Sequence, residues 1–249
     1  MHQESQDWVK TIEEEKGYNA IDAVAFRGLL RRMDRYEICN AALRHLEPGR
    51  SVLEAGCGWA LCSFALAERG MSVTAVDISE KLVHDLKRLQ SELGGAYASN
   101  LTFVAWDIFR LPELQKAFDA VISDGTYEHF LRDEDRRTIL ENVRAVLRDR
   151  GAFIVAVPNL HNPLFRFVVD QKMPTMHPFT IQALTQELSR GGFRVLETGF
   201  SFVNPGFEQW LKSRWMAAPI HAVNAIFRLL PRSVKKLLGA HLYCVAEKI

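Results

Sequence analysis

Residues 51–61, SVLEAGCGWAL, hold the reading on which the rest depends. A short apolar run with strand character, Ser51–Ala55, meets glycines 56 and 58, and an apolar helical stretch, Ala60–Arg69, begins at once. Glycine is favoured at such a junction because a side chain would block a ligand approaching the backbone. Strand, glycine turn and helix N-terminus in that order leave backbone N–H groups free to meet a ligand.

On the C-terminal side the alternation repeats. Apolar, β-branched runs predict strands at Ser72–Asp77, Leu101–Ala105, Phe118–Ser123 and Ala152–Val157, with amphipathic helices at Glu80–Leu93 and Asp133–Leu147 between them. Repeated βα units of this length predict an α/β chain around a parallel sheet. Further strands are expected at Phe193–Phe202 and His241–Glu247.

Two carboxylates narrow the ligand. Asp77 closes the second strand 19 residues after Gly58, where an acidic side chain can accept both hydroxyls of a ribose. Glu54 stands at the end of the first strand, where it would repel a pyrophosphate but can receive an ammonium group. A dinucleotide site would also want glycine where Leu61 stands. A nucleoside joined to an amino acid satisfies both acids.

With these residues in place the chain resembles the class I methyltransferases, especially the small-molecule group that includes the ubiquinone and menaquinone pathway enzymes. The resemblance covers about residues 50–200, one nucleotide-binding unit and its continuation. The family's acidic-x-Gly-x-Gly-x-Gly motif corresponds to Glu54, Gly56 and Gly58, with Ala60 in place of the last glycine. VTAVDIS, ending in Asp77 and Ile78, is similar to the ribose and adenine segment, and AWDI, with Asp107 and Ile108, to the adenine-edge segment. FDAVISDGTYEHF and GAFIVAVPN resemble the fourth-strand and fifth-strand motifs.

The resemblance implies a Rossmann-like class I methyltransferase fold, a mostly parallel seven-stranded sheet whose last strand is antiparallel. It implies S-adenosyl-L-methionine as cofactor and S-adenosyl-L-homocysteine as product. Cofactor contacts are expected from Glu54, Gly56, Cys57, Gly58, Asp77, Ile78, Asp107, Ile108 and Ser123. For Asp107 a second reading stays open, since an aspartate after a strand can cap the next helix.

Methyl transfer from a sulfonium is an in-line displacement that needs the acceptor held close and water excluded. No metal is required. For a hydroxyl acceptor, a base that removes the proton assists, and histidine suits neutral pH. His129, in TYEHF just beyond the fourth strand, is the first candidate; Glu128 and His129 have a structural reading of equal weight. His161 and His177 lie in the proline-rich stretch 158–179, expected to be a lid, and are the alternative bases. An oxygen acceptor is the leading expectation, with nitrogen or carbon of a small molecule or lipid as the alternative. A catalytically silent scaffold subunit is the reading from another class.

The expected organisation is an N-terminal helical cap, 1–48, a cofactor-binding core, 49–203, a helical insertion, 204–240, and the final core strand, 241–249. Net charge is +1, so no global basic field suggests nucleic acid. Four cysteines, with no C-x-x-C pair, fit free thiols in a reducing compartment, and the N-terminal residues lack the apolar run of a secretory signal, so the cytoplasm is expected. The insertion carries six basic residues against Glu208 alone, among many apolar ones. Such a stretch can lie on a membrane surface. It can instead pack its apolar side on the core or on a second subunit with its charges solvated, which the breaks at Pro219 and Pro231 favour.

Overall fold

The computed structural model describes residues 23–31, 36–163, 176–177, 179–202 and 226–249. Seven strands form one sheet: β1 (Ser51–Ala55), β2 (Ser72–Asp77), β3 (Leu101–Ala105), β4 (Phe118–Asp124), β5 (Leu147–Pro158), β6 (Phe193–Ser201) and β7 (His241–Lys248). Their order is β3-β2-β1-β4-β5-β7-β6. β1 to β5 pair in parallel, and β7 runs antiparallel to both of its neighbours. This is the Rossmann-like arrangement that the resemblance implies. The direction of strand addition reverses between β1 and β4, and in open sheets of this kind ligands occupy the crevice at that switch point.

Helices cover both faces, which is why the central strands are apolar on both sides. One face packs against α1 (Ala23–Leu30), α2 (Glu37–His45), α3 (Leu61–Glu68), α4 (Glu80–Leu93) and α5 (Ala96–Asn100). The other packs against a 3-10 helix at Ile108–Leu114, α6 (Asp133–Val146) and α7 (Ile181–Arg190). α8 (Arg232–Leu238) precedes β7. Among the described residues, no helix is long and apolar enough to cross a membrane.

α3 explains the extra layer. Cys62 through Ala67 are all buried, and a helix apolar all round must be covered on its outer side as well as against the sheet. α1 and α2 supply that cover, with Phe26 meeting Phe64 edge-on at 4.9 Å between ring centroids. These two helices fall within the expected cap; residues 1–22 and 32–35 lie outside the described residues. So do most of the expected lid, 164–175 and 178, and most of the insertion, 203–225.

β5 begins at Leu147, earlier than the expected Ala152. The register against β4 jumps between Phe118 and Ala120, and the four residues RDRG stand opposite Asp119 alone as a bulge, with Arg150 at φ +59°. A charged segment with glycine has the composition of a turn, so strand propensity gives no sign of it.

Candidate cofactor and active site

The carboxyl ends of β1, β2 and β4 place three acids together. Side chains alternate between faces along a strand, and Glu54, Asp77 and Asp124 share the face that carries α2 and α3. Glu54 and Asp77 are buried, and Asp124 is half-buried. Ser123, one residue from Asp124, projects to the opposite face, where its hydroxyl is buried with no hydrogen-bond partner among the described residues. The Ser123 side chain therefore faces away from Glu54 and Asp77.

The glycine loop is held from below. Gly56 N and Cys57 N both donate to Val76 O at 2.9 Å, and Thr126 Oγ1 donates to Gly56 O at 3.0 Å. Gly56 has φ +72°, and a Cβ there would collide with the Thr126 side chain, so both the backbone and the close approach require glycine. A Cβ built on Gly58 meets nothing within 4 Å, so the loop is open on that side. Ala60 sits at φ +55° as the residue before α3, in the left-handed region that glycine occupies without strain.

Ala60 also has no side chain with which to cap α3. Glu54 does that work: its Oε2 accepts from Ser63 N at 3.0 Å and from the Ser63 hydroxyl. A carboxylate at this point satisfies an orphan N–H and faces the positive end of the helix dipole. Burial nevertheless pushes the Glu54 carboxyl up to about 8, against the lowering by Ser63, with Asp124 and Asp77 adding repulsion. Asp77 pins the loop directly, Oδ2 accepting from Gly58 N at 3.0 Å and Oδ1 from Ser79 N at 3.1 Å. Burial raises its pKa in spite of these bonds. Ile78, half-buried, follows it, and Cys57 is buried beside it in the loop.

Asp107 N-caps the 3-10 helix, its Oδ1 accepting from Phe109 N at 3.0 Å, with Ile108 buried after it. The capping reading that the sequence leaves open is thus present in the structure.

Sequence reasoning missed Asp124 and Tyr36. Tyr36, immediately before α2, donates its hydroxyl to Asp124 Oδ2, joining the N-terminal helices to the end of β4. Burial lifts the Asp124 carboxyl to about 6, against the lowering by Tyr36. The rule that singled out Asp77, an acid at a strand end, applies equally to Asp124; nothing local marks Tyr36, 88 residues away.

The three histidines separate. His129 ends a 3-10 turn, Tyr127–His129, at the carboxyl edge of the sheet. His177 joins that turn through its backbone, its N donating to Glu128 O at 2.7 Å, and its ring meets Phe179 edge-on. Burial and then the nearby Arg136 lower its pKa. His161 lies elsewhere, in a turn that Asn159 and Asn162 tie to the end of α8, and burial followed by Lys236 lowers its pKa. A buried arginine secures the His129 turn: Arg136 Nη1 donates to Phe130 O at 2.7 Å and Leu131 O at 2.8 Å, while Nε donates to Glu187 at 2.8 Å. Tyr127 donates to the same Glu187 oxygen at 2.6 Å.

Comparison with known proteins agrees with this geometry. Residues 52–151 match the family model described as a methyltransferase domain. A ubiquinone biosynthesis O-methyltransferase of Coxiella burnetii is 28% identical over 169 residues, 62% of this chain and 68% of that protein. An eEF1A lysine and N-terminal methyltransferase of Mus musculus is 27% identical over 125 residues, 47% of this chain but 17% of that protein. Among solved structures, magnesium protoporphyrin IX methyltransferase from Synechocystis PCC 6803 with bound SAM superposes with a TM-score of 0.64 at 15% identity, over 100% of this chain and 99% of that one. The family match spans the glycine loop with Glu54 and Asp77, so residues 52–151 are similar to a methyltransferase domain, and the fold is shared with a solved methyltransferase that binds SAM.

Proposed function

We propose that the chain transfers a methyl group to an oxygen of a small-molecule acceptor, with the Gly56–Gly58 loop, Glu54 and Asp77 holding the cofactor. The residues present suit that group: the loop is open above Gly58, a carboxylate stands at the end of β2 for the ribose, and a buried acid stands at the end of β1 for the ammonium. Ile78, Asp107 and Ile108 belong to the adenine side on this reading, and Cys57 lines the loop. When bound, S-adenosylmethionine supplies an electrophilic methyl group on a sulfonium. The chain's own part is to place the acceptor oxygen in line, keep water out and take a proton.

The observation that carries the oxygen reading is the pairing of groups at the end of β4. Asp124, held at about 6 by burial, receives the Tyr36 hydroxyl, and His129 follows five residues later on a turn locked by Arg136. A group held near neutrality, as Asp124 is, is what a hydroxyl acceptor needs, since the hydroxyl must shed its proton, whereas a neutral amine is already nucleophilic. His129 is the proposed base. His177, on a segment tied to the same turn, is the nearer alternative, and His161, beside Lys236, the more distant one. The Coxiella relative, an O-methyltransferase by name, supports the same choice.

The test is transfer of a labelled methyl group to a panel of phenols, carboxylic acids and amines, with products identified by mass spectrometry. Methyl ethers or esters are expected. Products confined to methylamines would refute the oxygen reading.

A further inference from the structure

The basic stretch before β7 has a place in the fold that the cofactor site does not use. α2, the second half of β6 and α8 enclose an open cleft of about 670 Å³, a size ordinary for a ligand pocket. It begins at Glu37, next to Tyr36, whose hydroxyl rests on Asp124, so α2 runs from the candidate active site into the cleft.

The charges that line it are unequal. Arg44, Arg228, Arg232 and Lys235 face it, against Glu37 as the acid. Glu37 is shared by Arg44 at 3.4 Å and Arg228 at 3.5 Å. Glu197, just behind, is taken by Arg44, by His45 at 3.0 Å and by the Tyr243 hydroxyl at 2.9 Å. Arg232 and Lys235 are left with neutral partners: Arg232 donates to the Thr198 hydroxyl, and Lys235 Nζ donates to Arg228 O at 2.7 Å. Neither has a carboxylate partner among the described residues. Both are held in position by these bonds, which reduces the entropy lost when they bind an anion. Phe200, Phe202 and Phe227 supply an apolar wall beside them.

We propose that this cleft binds the anionic end, a carboxylate or a phosphate, of the methyl acceptor, with Arg232 and Lys235 as its counter-charges and the phenylalanines against its apolar body. The proposal rests on the reading of a small-molecule acceptor and adds its class, an amphipathic anion. It also gives the excess of basic residues in the insertion a ligand.

The test uses the full chain saturated with S-adenosylhomocysteine, titrated calorimetrically with phenyl phosphate and with phenol as its uncharged counterpart. The same titrations are made on Arg232→Gln/Lys235→Gln. Saturable phenyl phosphate binding is expected in the parent, weaker by about tenfold or more in the double variant, the size of a lost charge-assisted hydrogen bond. Phenol should bind the parent correspondingly weakly, and both proteins should bind S-adenosylhomocysteine equally, which also reports that the variant folds. Equal phenyl phosphate affinity in parent and variant, phenol binding as tight as phenyl phosphate, or no saturable binding would each overturn the proposal. So would binding that needs these two cations but occurs only on vesicles of phosphatidylglycerol and phosphatidylcholine in equal parts. The methyl-transfer panel separates this from the parent reading. Methylation of uncharged phenols only would sink the anionic cleft and leave the small-molecule reading standing. Phenyl phosphate binding through Arg232 and Lys235, with no small molecule methylated, would do the reverse.

Discussion

Glu54 gives the sharpest test of how the cofactor is received, because the same carboxyl is expected to change its protonation when the cofactor arrives. Burial holds it at about 8 in the free protein, so at pH 7 about nine-tenths of the molecules carry the neutral acid. The difference from its ordinary 4.5 corresponds to roughly 5 kcal/mol in favour of the proton. An ammonium group at about 4 Å in a medium of effective dielectric about 20 returns roughly 4 kcal/mol, nearly the same amount with opposite sign. The bound carboxyl should therefore fall close to its ordinary range, and S-adenosylhomocysteine binding at pH 7 should release close to one proton, about 0.9 by this arithmetic. Calorimetry in phosphate and in Tris, whose ionisation enthalpies differ, measures that number directly. Glu54→Gln, which keeps the shape and loses the titration, should bind more weakly and release almost none. Zero release from the parent, or the same release from the variant, would refute the assignment of Glu54 to the ammonium. The free protein offers a second readout. Since the folded pKa is raised, the neutral acid stabilises the fold fully below about pH 4.5, and that contribution is lost as pH climbs through about 8. Asp124 acts with the same sign between its ordinary 3.8 and about 6. Melting temperatures should fall across that range, and less steeply in Glu54→Gln.

Asp77→Ala removes the ribose acceptor and should weaken S-adenosylhomocysteine by about 1.5–3 kcal/mol; parent-like affinity would reduce Asp77 to the pin that holds Gly58 and Ser79. NAD should show no binding in the same calorimeter, because Glu54 and Leu61 oppose a dinucleotide. His129→Ala should leave cofactor affinity intact while lowering turnover by about 10²–10⁴-fold and removing the acidic limb of the pH–rate profile. If the limb survives, the search for the base moves to His177 and then His161. Arg136→Met leaves Glu187, Phe130 O and Leu131 O short of donors and should cost about 3 kcal/mol, the low end for a broken buried pair because Glu187 is 25% exposed. That corresponds to a fall of roughly 6–12 °C in melting temperature for a chain of this size; a fall under about 3 °C would show that the network is dispensable.

The core of the fold is legible in the sequence because strand residues buried on both faces leave a plain apolar signal. Expected boundaries at Ser51–Ala55, Ser72–Asp77, Leu101–Ala105 and Glu80–Leu93 coincide with those in the structure. What escapes depends on contacts between distant segments. The bulge at Arg148–Gly151 exists through pairing with β4, and the Tyr36–Asp124 bond through the docking of α2 on α3. Glu54 is recognisable as a special acid from its place beside the glycines. Its capping of α3 is not, because it follows from the absence of a capping side chain at Ala60. Ser123 shows the opposite case: a motif assigns the residue, whereas strand alternation decides which face its side chain reaches, and that is the face away from Glu54.

The position of β7 between β5 and β6 has a consequence for synthesis. Of the seven strands of the sheet, the one that joins the two is synthesised last, with 39 residues between it and the end of β6. At about 5–20 residues per second that interval lasts roughly 2–8 s. Throughout it, β5 presents an unpaired edge and β6 has no partner in the sheet, the condition under which strands recruit other chains. A chain stopped at residue 240 would therefore keep the whole cofactor loop and still expose two sticky edges. Its failure would be seen as aggregation, with the chemistry at Gly56–Gly58 never put to the test.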